Sequence, residues 1–217
     1  MAQNEVKDDF KLINEYYNNS KNISMDIKYE LFYDGSSKPT DVQNGKYVKS
    51  SHKFYMQQGL GIMVITDKHM LVVDHEKKIV ILDKKIDEKK LENPLSLNLD
   101  SLYSKYSKIE KIDTKNPKTK AYRFYITQGP YSVCDVYYDI QNKYVTEIIN
   151  VFRYKQLDEN EKLRLTVLKT SFMNYGALTH IDNLFNEANY FSESGKKIEL
   201  NKLYKTYQLI NHLDDKE

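Results

Sequence analysis

Five histidines, one cysteine and a glycine pair are the residues of this chain whose types could support catalysis or ligand capture. His52, His69, His75, His180 and His212 are dispersed, with no two at the i, i+4 spacing of a helical zinc site and no cysteine beside them. Cys134 sits in a strand-like run instead of at a helix N-terminus that would lower its pKa, so it reads as a small buried hydrophobe. Gln58-Gly59-Leu60-Gly61 resembles the start of a dinucleotide loop, but the third glycine and a surrounding βαβ unit are missing, and a strand break explains it better. The acidic pairs Asp158-Glu159 and Asp214-Asp215 fall in a turn and a tail, where carboxylates are solvated instead of held at fixed separation in a cleft. The sequence thus predicts no catalytic residues, no metal ligands and no cofactor: a non-enzymatic protein.

The elements that position these residues are mostly strands. Val6, Phe10, Ile13 and Tyr17 recur at helical spacing among polar residues, which predicts an amphipathic helix over 5–18 with one buried stripe. Ile23, Met25, Ile27, Tyr29 and Leu31 then alternate with Ser24, Asp26, Lys28 and Glu30, predicting a strand with one apolar and one wet face. Turn clusters follow at 34–39 and at Asn44-Gly45, then a strand over 52–57 and three short β-branched runs at 61–66, 70–74 and 78–83. Leu95, Leu99, Leu102, Tyr103 and Tyr106 after Pro94 fit a second helix. Long strands are expected over 121–127, 132–140, 144–154 and 162–172, joined by short polar connectors as antiparallel hairpins require. In the second of these, Cys134, Val136, Tyr138 and Ile140 share a face opposite Asp135 and Asp139. Ile181, Leu184, Phe185 and Ala188 suggest a short helix, 198–200 an edge strand, and 203–213 is ambiguous.

Composition narrows the classes further. With 33 basic and 31 acidic residues interleaved along 217 positions, there is no concentrated basic stripe for nucleic acid, and arginine supplies only Arg123, Arg153 and Arg164. No apolar run approaches the roughly 20 residues that cross a bilayer. The 19 tyrosines suit the rim of a β core, an amphipathic cavity or a protein interface. The opening Met1-Ala2-Gln3-Asn4 looks like a start methionine placed on a mature N-terminus from which a signal peptide has been removed, although an ordinary cytoplasmic start reads the same residues equally well.

An N-terminal amphipathic helix, a first strand over 23–32, Asn44-Gly45-Lys46-Tyr47-Val48-Lys49, His52-Lys53-Phe54-Tyr55 and Met70-Leu71-Val72-Val73-Asp74, in that order, resemble the periplasmic outer-membrane lipoprotein carriers of the LolA/LolB-like fold. The resemblance spans residues 5 to about 172. It implies a mainly β (α+β) fold: a curved antiparallel sheet or incomplete β-barrel with helices covering the concave face, as one domain over 1–217 with 174–217 as a C-terminal extension. It also implies a periplasmic location and a cavity lined by Met25, Ile27, Tyr29, Phe54, Met56, Val64, Val136 and Tyr138. Such a cleft would hold an acyl chain by removing apolar surface from water at about 25 cal/mol per Å². The same residues equally describe a filled core. The chain departs from the carriers in having no tryptophan, no N-terminal lipid-bearing cysteine and the extension after Asn174. Two functions are therefore expected: a carrier for a lipid or lipoprotein acyl chain, or a structural or interaction subunit of a cell-envelope or secretion machine. Expected partners are a hydrophobic ligand or an envelope protein, with peripheral membrane contact compatible and nucleic acid excluded.

Overall fold

A stripe of four apolar side chains on one helix face must be buried, and a run of alternating strands supplies the surface to bury it. A computed structural model describes residues 2–85, 105–158, 160–176, 183–195 and 197–213. It begins with α1 (Ala2–Asn19), β1 (Asn22–Tyr33), β2 (Asp41–Ser50), β3 (Lys53–Gln58), β4 (Gly61–Ile65), β5 (His69–Asp74) and β6 (Ile79–Lys84). There follow β7 (Tyr106–Ile112), β8 (Thr119–Ile126), β9 (Tyr131–Asp139), β10 (Tyr144–Phe152), β11 (Gln156–Leu157), β12 (Leu163–Arg164) and β13 (Thr166–Gly176). The chain ends in β14 (Phe191–Ser194), β15 (Lys197–Leu200) and β16 (Gln208–Asn211). Twelve strands hydrogen-bond in the order β16-β6-β5-β4-β3-β2-β1-β13-β10-β9-β8-β7, and the end strands β16 and β7 do not pair with each other, so the sheet is open. The β6–β16 pairing is parallel, whereas the hairpin pairings along β2 to β6 and β7 to β10 are antiparallel. The fold is mainly β, in line with the sequence pattern.

The chain divides into two compact units, and β1 and β2 contribute residues to both. The first unit comprises 1–20, 27–44 and 93–173. Here Val6, Phe10, Ile13 and Tyr17 of α1 are fully buried. Phe10 packs edge-on to Phe124 at 5.5 Å and tilted to Tyr122 at 6.2 Å, and the Tyr17 hydroxyl accepts a hydrogen bond from Val145 N at 3.1 Å. Arg153 holds the β8–β9 end of the meander by donating through Nη2 to the carbonyls of Ile126 (2.6 Å) and Tyr131 (2.8 Å) and through Nε to Gly129 (3.1 Å). The guanidinium fork thereby bonds three carbonyls from one side chain.

The second unit comprises 21–26, 45–92 and 174–217. Val48, Tyr55, Val64, Leu71, Val73, Val80 and Leu82 of its meander form one buried cluster with Phe185, Tyr190, Phe191 and Tyr204. The C-terminal residues after Asn174 therefore supply four of the eleven buried side chains of this cluster.

Several expectations change. Asn44-Gly45 is not a turn but lies inside β2, where Gly45 pairs with Gln58 of β3; the chain reverses earlier, at Asp34-Gly35. The second helix expected after Pro94 lies outside the described residues except for Tyr106, which opens β7 opposite Ile126. There the aromatic ring packs on Phe124 at 5.7 Å. The described part of the 181–188 segment is a turn leading into a single 3-10 turn, Glu187–Asn189, capped by the Asn186 side chain. The wet face of β1 is also less wet than alternation predicts: Ser24 is buried and donates to Gly176 O at 2.6 Å.

Candidate functional site

The eight side chains expected to line a cavity divide between the two units. In the first, Val136 and Tyr138 point from β9 into the core beneath α1, Ile27 is buried on β1, and Tyr29 is partly exposed. In the second, Met25 and Val64 are buried, while Phe54 and Met56 are partly exposed on β3. Exposures are 0% for Val64, 1% for Met25 and Val136, 3% for Tyr138 and 4% for Ile27.

A polar cluster sits where α1 meets the sheet of the first unit. Asp9 accepts from the Tyr122 hydroxyl at 2.6 Å and from Lys120 Nζ at 2.9 and 3.1 Å. Glu5, one turn earlier, pairs with Lys111 at 3.0 Å and Lys120 at 3.2 Å. Tyr138 stacks on Tyr122, centroids 6.2 Å apart. Burial raises the Asp9 carboxyl, but the hydrogen bonds from Tyr122 and Lys120, with the Tyr138 phenol beside them, outweigh it and hold the group below its ordinary value. Burial first, and then the Asp9 carboxylate, push both phenols up, so they remain protonated, and Tyr122 donates to Asp9.

Sequence spacing missed a second cluster, in the other unit. His69 is buried on β5 with Nδ1 at 2.9 Å from Glu187 and Nε2 at 3.3 Å from Glu193, and its ring lies edge-on to Phe191 at 5.4 Å. The Thr66 hydroxyl also bonds Glu187. His75 Nδ1 meets the Tyr207 hydroxyl at 2.9 Å. These histidines fasten the C-terminal residues to β5 and its turn, and no local spacing could have revealed partners 118 to 132 positions away. Among the described residues no three His, Cys, Asp or Glu side chains are grouped to hold a metal.

Cys134 is buried as expected, whereas Asp135 revises the reading of β9. Burial, and then the neighbouring Asp135, push the Cys134 thiol up to about 12. Asp135 on the face expected to be wet is buried, because Arg123, its partner across the β8–β9 ladder, grips both carboxylate oxygens at 2.7 and 2.6 Å. Native protein at pH 8 should therefore resist iodoacetamide for hours and label only in denaturant; rapid native labelling, read by mass spectrometry, would show the thiol to be accessible.

The described surface carries a cleft of about 740 Å³ in the first unit, between the β1–β2 connector and the β11–β12 hairpin. Asp34 and Asp41 line it from the connector, and Asp158, Asn160 and Arg164 from the hairpin. The connector is tied in place by Asp34 N donating to Leu165 O at 2.8 Å, with Gly35 at a positive φ of 77° completing the reversal. No helix among the described residues is long and apolar enough to cross a membrane.

The chain matches no protein-family model and no curated protein sequence. It is similar to several solved structures. An uncharacterized conserved protein from Thermus thermophilus is 9% identical with a TM-score of 0.48, over 95% of this chain and 99% of that one. MucB, in the Pseudomonas aeruginosa MucA/MucB complex, is 11% identical with a TM-score of 0.44, over 89% of this chain and 63% of that one. A LolA superfamily protein from Nitrosomonas europaea is 8% identical with a TM-score of 0.33, over 83% of this chain and 96% of that one.

Proposed function

We propose that this protein is a non-catalytic interaction module of the bacterial cell envelope that has kept a carrier-like β fold and filled its apolar faces with its own side chains. The observation that carries this reading is the burial of Met25, Ile27, Val64, Val136 and Tyr138, five of the eight side chains an acyl-chain cavity would need to expose. In the first unit, α1 lies over that face; in the second, Phe185, Tyr190, Phe191 and Tyr204 close the core. Apolar side chains already buried by the chain itself offer little surface to remove from water on ligand binding. The envelope location comes with the resemblance in element order.

The carrier reading stays as the second, because Tyr29, Phe54 and Met56 are only partly buried. Titration with a fluorescent fatty acid separates the two. The interaction module should give no saturable signal up to about 10 µM probe, whereas a carrier should bind one equivalent in the micromolar range or tighter. Saturable stoichiometric binding would make acyl-chain transport the function.

A further inference from the structure

Three of the nine large hydrophobic side chains that the described surface leaves exposed fall within ten residues, at and beside one small hairpin: Tyr154 (73%), Leu157 (64%) and Leu163 (62%). Leu157 and Leu163 are directly opposed across the β11–β12 pairing, which sets them side by side on one face. Hydrogen bonds brace the described residues of this hairpin. The Asp158 carboxylate accepts from the amides of Asn160 and Lys162, each at 2.9 Å, and from Arg164 Nε at 3.3 Å, while Asp158 N donates to Lys162 O at 2.9 Å. Apolar side chains held rigidly in solvent cost little further ordering when a partner covers them, which is how preorganised anchors gain affinity.

The wall facing the hairpin gives the charge of what binds. Arg164 is the cation among the cleft-lining residues, and Asp158 already neutralises it. Asp34 and Asp41 remain, so the cleft attracts cations. An anionic lipid surface is disfavoured by those two carboxylates. Moreover, β11 and β12 form a two-stranded sheet separate from the twelve-stranded one, leaving strand edges that suit an extended backbone. We propose that the β11–β12 hairpin and the β1–β2 connector form a docking surface for an extended segment of a partner protein that alternates basic and apolar side chains. This names the partner chemistry of the interaction reading and rests on it; the fatty-acid titration tests that reading separately.

The probe is a fluorescein-labelled decapeptide of alternating Lys and Val, with the Glu/Val analogue as control. The Lys/Val peptide should bind saturably and lose affinity with rising salt, while the Glu/Val peptide should not bind. The double variant Leu157→Ser/Leu163→Ser and, independently, Asp34→Asn/Asp41→Asn should each weaken binding about tenfold or more while melting like the parent, since all four residues are at the surface. Absence of Lys/Val binding, equal binding of the two peptides, or affinity unchanged in both variants would overturn the proposal. Co-sedimentation with phosphatidylglycerol vesicles that the leucine variant abolishes would assign the surface to a membrane instead. A concentration-dependent dimer abolished by the same variant would assign it to a second copy.

Discussion

Met25→Asp is expected to cost about 4 kcal/mol or more of stability and to leave little folded protein. Met25 is 1% exposed in the second unit. A carboxylate placed there must either lose its hydration without a partner or take up a proton, and each route costs several kcal/mol in a packed interior. Met25→Leu keeps volume and polarity and should cost less than about 1.5 kcal/mol, so a large loss in Asp alone isolates the charge. The measurement is urea unfolding of the two variants beside wild type. Were the face an open, hydrated cavity, Met25→Asp would stay folded at near-parental stability and lose only probe binding, and that result would return the carrier reading to first place.

The periodic elements were legible because each reports its own burial. Val6, Phe10, Ile13 and Tyr17 mark α1 at a spacing that only a helix turns into one stripe, and all four are buried. Alternation similarly marked β1 and β8 to β10; for β3 it marked the strand but not its inward face, since Tyr55 is buried while Phe54 and Met56 are partly exposed. What alternation cannot register is a buried polar side chain whose partner is distant in sequence: Ser24 is covered through Gly176, and Asp135 through Arg123. The C-terminal residues were ambiguous for the same reason. β16 pairs in parallel with β6, Gln208 beside Ile79, and the intervening turns are held by His69–Glu187 and His75–Tyr207 contacts that carry no local signature. The site was least legible of all, since an inward apolar face has one pattern whether it lines a cavity or fills a core. The exposed Leu157 and Leu163 were likewise hidden, because a hairpin this short has no period to reveal which way its side chains point.

Asp9 should be the group through which acid loosens α1 from the sheet of the first unit. Its carboxylate is the shared acceptor for Tyr122 and Lys120, and the Tyr122 side chain is fully buried. Asp9→Ala removes that acceptor, strands a buried hydroxyl and leaves Lys120 with Glu5 alone; a loss of about 2–4 kcal/mol is expected, measured by urea unfolding at neutral pH. Asp9→Asn, which keeps an acceptor oxygen but no charge, should fall between wild type and Asp9→Ala. The pH dependence follows from the direction of the shift. Because the folded carboxyl titrates below its unfolded value of about 3.9, the unfolded state binds more protons in the intervening window. The contribution is therefore fully present at neutral pH and is lost as pH falls through the depressed folded value. Other depressed carboxyls such as Glu5 and Asp67 add to the same acid slope, so the diagnostic is the difference between wild type and Asp9→Asn. That difference should shrink steadily as pH drops below about 4. Parallel stability curves from pH 7 to pH 2 would show that Asp9 carries no linked proton, and would leave the apolar stripe of α1, the Glu5 ion pairs and the Tyr17–Val145 bond to attach it.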